Sequence, residues 1–251
     1  MTAARAALAA GLRDPLTWAA VTLALLVLEM ADLKPLFAAA FPSLDRPMYE
    51  QASFGTLLLE HLWIVGLASG AALLVGFPAG IFVTRPAGRD FRPLLESAAA
   101  MGQAVPPVAV LAIAVPLIGF GTLPALVALG LYSLLPIVHS TIAGIESVPA
   151  EVQLAAEAMG MHRWQKLWLV ELPLALPVVL AGVRTSVTIN IGTAAIASTV
   201  GVKTLGTPII VGLNGFNMAY VLQGALVAGL LAIVVDMFFD RASRCLGRWR
   251  A

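Results

Sequence analysis

Residues 155–173 read AAEAMGMHRWQKLWLVELP, a charged and aromatic insertion between segments that are almost wholly apolar. Gly160 divides this insertion, because glycine adopts the left-handed conformation that ends a helix without a Cβ penalty. We therefore expect a short helix over about residues 150–159 and a second helical stretch from about residue 161 to residue 173. Two short helices joined at a glycine elbow would form a compact knob.

The start of the first short helix carries three further signals. Ser147 can cap it, Pro149 suits its first turn, and Glu151 places a negative charge where a helix N-terminus favours one. A loop that lies in the membrane interface, with its tryptophans at headgroup level, is the alternative interpretation of such a composition. The local pattern alone leaves both interpretations open.

The composition around this insertion is that of an integral membrane protein. The chain has 251 residues, of which 60% are hydrophobic and 12% charged, with a mean hydropathy of +0.92, whereas soluble domains are about a quarter charged. Blocks near the ~20 residues that span a ~30 Å hydrocarbon layer predict helices, since the blocks are continuous and open sheet edges are unsatisfied in lipid. The sequence predicts an all-α protein with six transmembrane helices, at about residues 15–36, 62–84, 94–118, 123–143, 177–200 and 218–238.

The distribution of lysine and arginine predicts the orientation of these spans. With the N-terminus in the cytoplasm, eleven basic residues fall in inner segments and three in outer ones, namely Lys34, Arg46 and Lys203. Arg184 lies within the fifth span, and we expect it to reach the cytoplasmic interface. Both termini and the 155–173 insertion are therefore predicted to be cytoplasmic. The net charge of +1 argues against nucleic acid as a partner.

Two spans are predicted to be irregular or to line a pathway. Pro106 and Pro107 fall within the third span and should kink or break it, which neighbouring helices or a water-filled cavity must compensate. The frequency of proline in membrane helices explains this feature as well. The fifth span is rich in small and polar residues, which close helix packing also explains. The candidate translocation-path residues are Pro106, Pro107, Thr188, Asn190, Gly192 and Thr199.

The motifs of membrane-embedded enzymes are absent from the sequence. The three histidines, His61, His139 and His162, do not have the H-E-x-x-H spacing of a zinc protease, and no G-x-x-x-x-G-K-[ST] phosphate loop occurs. We therefore expect no catalytic residue, metal site or cofactor, and any ATP hydrolysis to belong to another subunit. An ion-coupled secondary transporter would place paired ionisable residues at mid-membrane depth, and Glu29, Glu60, Glu96 and Asp236 all lie near predicted span ends.

The spacing of Ala155-Ala156, Gly160 and Leu172-Pro173 resembles the EAA signature of permease subunits of bacterial ATP-binding-cassette (ABC) importers. The resemblance covers residues 54–239 and is greatest to the glycine betaine/osmoprotectant family of YehW-like permeases. It implies a type I ABC importer permease fold and a cytoplasmic coupling helix that docks on the ATPase. The implied coupling residues are Ala155, Ala156, Glu157, Met159, Gly160, Met161, His162, Leu172 and Pro173. One departure is Leu154, which stands where the signature has glutamate.

This resemblance also implies a division of the chain and a set of partners. Residues 1–53 would form the cytoplasmic N-terminus, first transmembrane helix and periplasmic loop, residues 54–239 the permease domain with a coupling loop at about 146–173, and residues 240–251 a basic cytoplasmic tail. The expected partners in the bacterial inner membrane are cytoplasmic ABC ATPase subunits, a second permease subunit that is a copy or a paralogue, a periplasmic substrate-binding protein and the lipid bilayer. An importer of amino acids or sulfonates is the alternative function.

Overall fold

The computed structural model describes residues 14–247, and all regular secondary structure in that range is helical. We number the α-helices in chain order and name the 3-10 and π-helical turns by their residues. The α-helices are α1 Pro15–Leu28, α2 Lys34–Ala40, α3 Phe54–Val83, α4 Arg92–Ala104, α5 Pro107–Ile118, α6 Thr122–Glu146, α7 Ala150–Ala158, α8 Arg163–Lys166, α9 Leu172–Thr193, α10 Gly206–Asn214 and α11 Met218–Gly247.

Within residues 14–247, four helical segments are long and apolar enough to cross a membrane unbroken, at Phe54–Val83, Thr122–Glu146, Arg163–Val200 and Met218–Arg244. Two further segments pass the same test only as bent pairs. Pro15–Leu28 and Met30–Ala40 meet at 78°, and Arg89–Ala104 and Pro107–Ile118 meet at 92°. Counting each bent pair as one crossing gives six spans, the predicted number. The first predicted span, 15–36, is therefore not one straight helix.

The third predicted span is broken where its sequence predicts a break. Helix α4 ends at Ala104, and Pro106 has extended backbone angles, φ −54° and ψ 136°, before α5 begins. The Pro106 carbonyl accepts a hydrogen bond from the Ala109 amide at 2.8 Å, so it caps the new helix. At 1.5 Å per residue each half is roughly 20 Å long, shorter than a ~30 Å hydrocarbon layer.

The centre of the bundle packs through close helix approaches at glycine. A Cβ added to Gly80 of α3 would lie 2.8 Å from the Thr141 Cβ of α6, and one added to Gly182 of α9 would lie 1.8 Å from the Ser140 Oγ. Only glycine fits at such contacts, which are typical of helices packed in membranes. Helix α6 therefore lies directly against both α3 and α9.

Arg184 is ion-paired with the last helix, and its expected reach to the cytoplasmic interface stays a prediction. Its Nε and Nη2 atoms donate to the two carboxylate oxygens of Asp236 on α11, each at 2.5 Å, and its Nη1 donates to Asp240 at 3.4 Å. Arg241 on α11 also pairs with Asp14. The two ends of the described chain therefore meet at one end of the bundle. The carboxylates of Asp236 and Asp240 compensate the positive charge of Arg184, so this side chain does not need full hydration.

Candidate functional site

The predicted short helix and its glycine elbow are present. Helix α7 runs from Ala150 to Ala158, and Gly160 has φ +76°. The Met161 amide donates to the Ala156 carbonyl at 3.1 Å, which is the 6→1 hydrogen bond of a Schellman motif, a helix end formed by a left-handed residue. The conformational prediction for Gly160 is thus confirmed.

The cap predicted for this helix is wrong. Pro149, not Ser147, occupies the capping position, and its carbonyl accepts hydrogen bonds from the amides of Val152 and Gln153 at 3.1 and 3.2 Å. The Ser147 hydroxyl instead donates to the Gly144 carbonyl at 2.7 Å. Ser147 therefore closes the end of α6.

The second helical stretch does not end near Pro173, which corrects the picture of two separate short helices. His162 and Gln165 form a reciprocal capping box at its start, with bonds of 3.1 and 3.3 Å. Helix α8 passes through the π-helical turn Leu167–Glu171 directly into α9, so the fifth span begins well before residue 177. Pro173 lacks an N–H and crowds the turn before it, which normally breaks a helix. The π-helical turn directly before Pro173 changes the hydrogen-bond spacing at this point, and the helix continues.

Helix α7 presents one side to the protein and the other to its surroundings. Ala156 is buried at 1% exposure, while Ala155 is exposed. Three large apolar side chains at the elbow are about two-thirds exposed, namely Leu154, Met159 and Trp164. We call these three the docking patch. Apolar side chains clustered on an exposed knob are typical of a protein contact.

A set of ion pairs that sequence reasoning missed joins the elbow to the bundle. Lys166 lies 2.7 Å from the Glu157 carboxylate and 3.9 Å from that of Glu171, and Glu171 also pairs with Arg85, just beyond α3. The Glu171 side chain is only 4% exposed, and a buried carboxylate is stable only when paired. The signal in the sequence was a single carboxylate in the apolar run LWLVELP, but its partner Arg85 lies 86 residues away.

Thr199, one of the six predicted translocation-path residues, lines an open groove. This groove has a volume of about 300 Å³ and lies between α5 and the 3-10 turn Ala194–Val200, where it is lined by Val108, Leu111, Ala112, Val115, Pro116, Thr199 and Val200. Thr199 and Gly192 are exposed, and Pro106 is exposed at the break before α5. The helix changes from α to 3-10 at Ala194, so Thr199 is not related to Thr188 and Gly192 on α9 by a regular α-helical spacing.

Asn190 lies apart from the groove, in the junction of three helices. Its side chain is fully buried, and its Nδ2 donates to Ser69 on α3 at 2.9 Å and to Ser133 on α6 at 2.5 Å. His61 on α3 is also buried and lies 3.0 Å from the Ile191 carbonyl. These polar contacts tie α9 to both neighbours. Thr188, the other polar candidate on α9, is half-buried.

Comparison with known proteins matches residues 76–249 to a family described as "Binding-protein-dependent transport system inner membrane component". The osmoprotectant import permease protein OsmY of Salmonella typhimurium is 44% identical over 70% of this chain and 75% of its own length. OsmW of the same organism is 39% identical over 77% of this chain and 92% of its own. The glycine betaine/carnitine/choline permease OpuCB of Bacillus subtilis is 38% identical over 74% and 86%.

Solved structures share the fold at lower identity. The inward-facing MetNI methionine ABC transporter superposes with a TM-score of 0.67 at 21% identity, covering 75% of this chain and 93% of that one. An amino acid ABC transporter crystallised with histidines gives a TM-score of 0.61 at 17% identity, covering 88% and 97%. The fold is therefore that of type I ABC importer permeases.

Proposed function

This chain belongs to the family of binding-protein-dependent transport system inner membrane components, and from that membership we propose that it imports glycine betaine or a related osmoprotectant. Relatives 38–44% identical over 70% or more of the chain are osmoprotectant or glycine betaine permeases. The amino acid transporters are 17–21% identical and support the fold alone. An importer of amino acids or sulfonates is thus the weaker alternative.

The observation that carries the transport mechanism is the unbroken helix from the elbow into the fifth span. Arg163–Val200 is one continuous helical segment, and Gly160 joins it to α7. A force on α7 would therefore reach a membrane-spanning helix through the short elbow 159–162 alone, which the Met161–Ala156 hydrogen bond and the His162–Gln165 capping box hold in place. The ion pairs of Glu157, Lys166, Glu171 and Arg85 extend the same connection to the end of α3.

The docking patch of Leu154, Met159 and Trp164 is the proposed contact for a cytoplasmic ABC ATPase, which would hydrolyse ATP on behalf of this subunit. Ala155, Ala156, Glu157, Gly160, Met161, His162, Leu172 and Pro173 would shape and support that contact. The exposed Leu154 favours an apolar contact at the position where the signature has glutamate. ATP-driven closure of two ATPases would rock the helix bundles between inward-open and outward-open states.

The rest of the assembly follows from the same proposal. A second permease, as a copy or a paralogue, would face the groove between α5 and Thr199, so that the path forms between two subunits. Gly192 and Thr199 would line that path, and Asn190 would hold its walls together through Ser69 and Ser133. A periplasmic substrate-binding protein would deliver the substrate, and both termini would lie in the cytoplasm of a bacterium, as the distribution of basic residues predicts.

Proteoliposomes test this function directly. The chain alone should neither hydrolyse ATP nor accumulate labelled glycine betaine, and concentrative uptake should require an added ABC ATPase and an added substrate-binding protein of the importer. Unlabelled betaine or choline should compete for uptake, whereas methionine, histidine and taurine should not. Accumulation driven by a proton or sodium gradient alone would instead identify a secondary transporter, and competition by taurine or methionine would identify the alternative importer.

A further inference from the structure

The turn between α10 and α11 lies at the end of the bundle opposite to the coupling elbow. Helix α11 starts at Met218 beside this turn, and its far end carries Asp236 and Asp240, which bind Arg184. In the orientation that the charge asymmetry predicts, the elbow is cytoplasmic and this turn lies on the outer face.

Phe216 occupies this turn in a strained and exposed state. Its φ is +52°, the only positive value at a non-glycine residue in residues 14–247, and it is the most exposed large apolar side chain described there, at 89%. The Asn217 amide donates to the Gly212 carbonyl at 2.7 Å, the bond of a helix ending whose left-handed position is usually glycine. A phenylalanine there costs backbone energy and gains no burial, so the strain points to a use outside the subunit.

The turn is held rigidly by the side chain of Asn217. Its Nδ2 donates to the Arg46 carbonyl at 2.8 Å, and its Oδ1 accepts from the Tyr220 amide at 3.2 Å, which caps the start of α11. The turn is thus fastened both to the following helix and to the segment before α3. This restricts the directions in which the neighbouring ring can point.

A second side-chain amide, which is buried, fixes the same segment. Gln223 is fully buried, accepts from the Tyr49 amide at 3.1 Å and donates to the Pro47 carbonyl at 2.7 Å. Leu213 and Met218 flank the turn and are 54% and 58% exposed. We call Leu213, Phe216 and Met218 the outer knob, an apolar contact surface on a fixed support.

We propose that the outer knob is a docking contact for the external substrate-binding protein of the importer, which would receive the Phe216 ring in an apolar socket. This rests on the proposed function, because the family is defined by dependence on such a protein. A rigid aromatic side chain loses little entropy on binding and is typical of a dominant interface residue. A lipid-facing anchor would need no strained backbone, and interface belts favour Trp and Tyr.

The test uses the full importer in nanodiscs, with the permease, its ATPase and its substrate-binding protein. ATP hydrolysis is measured as binding protein is titrated in the presence of glycine betaine. Phe216→Gly and Phe216→Asn both tolerate the left-handed conformation, so folding is preserved while the ring is lost. We expect the concentration for half-maximal stimulation to rise roughly tenfold in both variants, and to stay within twofold of the wild type for Phe216→Trp.

Other outcomes separate this inference from the function on which it rests. Normal stimulation of the wild type, with an unchanged half-maximal concentration for Phe216→Gly, would overturn the docking role and leave the importer function intact. A wild-type complex that no concentration of the binding protein stimulates would contradict the importer function, and the docking role with it. Raised thermal stability of Phe216→Gly together with the weaker stimulation would show that the strain serves the contact.

Discussion

Replacing Gly160 with valine tests whether the elbow transmits force. Gly160 has φ +76°, and a Cβ added there would meet no atom within 4 Å, so the substitution acts through the backbone alone. The left-handed conformation costs an L-residue about 1–2 kcal/mol, and a β-branched residue tolerates it least. A change of about 1–2 kcal/mol shifts a conformational equilibrium about 5–30-fold.

We therefore expect ATP-dependent uptake, normalised to the amount of permease in the membrane, to fall about 5–30-fold in Gly160→Val. Expression should stay near normal because the elbow lies outside the lipid in the proposed orientation. Co-purification of the ATPase should fall as well, since α7 would leave the position that the Met161–Ala156 hydrogen bond fixes. The assay is uptake of labelled glycine betaine into proteoliposomes at a known permease content.

Two control variants isolate the conformational effect. Gly160→Asn should retain most uptake, because asparagine tolerates the left-handed conformation. Gly66→Ala adds a Cβ that also meets nothing within 4 Å, but on the right-handed helix α3, and should leave uptake unchanged. Normal uptake per molecule in Gly160→Val would refute the coupling role of the elbow, and an equal loss in Gly66→Ala would show a general effect on the bundle.

Four further variants or labels test the site and the topology. Trp164 is 67% exposed, so Trp164→Asp should leave thermal stability unchanged. It should weaken ATPase binding by roughly 1 kcal/mol or more, which would reduce ATPase co-purification at least about fivefold. Equal recovery of the ATPase would place the contact elsewhere. Glu171→Gln removes the buried charge that pairs with Arg85 and should lower both the melting temperature and uptake, whereas a variant as stable as the wild type would show that the pair is dispensable. Asn190→Ala should cost about 1–3 kcal/mol of stability in an unfolding assay, because the Asn190 amide donates to Ser69 and Ser133. The set of substrates that compete for uptake should not change, since this side chain does not face the translocation path. Altered competition would show that Asn190 contributes to the path. Cys245, the one cysteine, should react with an impermeant maleimide in inside-out vesicles, and labelling of intact spheroplasts would reverse the orientation.

Features with local causes were predictable from the sequence. The break at Pro106 and the left-handed Gly160 each depend on one residue whose backbone is restricted or unusually free, and both are present. The capping of α7 by Ser147 was also a local prediction, yet the hydroxyl could bond either to its own helix end or to the next helix start. The structure shows the first choice, at the Gly144 carbonyl. The predicted end near Pro173 failed because a π-helical turn lets the helix continue past proline.

The sequence by itself determined the class of the protein, an all-helical membrane subunit with a glycine-divided knob, because hydropathy, charge asymmetry and spacing are properties of the chain alone. Only the tertiary structure decided which side chains meet across the bundle. Glu171 finds Arg85, and Asn190 finds Ser69 and Ser133, over separations of 57 to 121 residues. Such partners depend on the rotation and depth of each packed helix, which close contacts such as Gly80 against Thr141 set, and no local pattern specifies them.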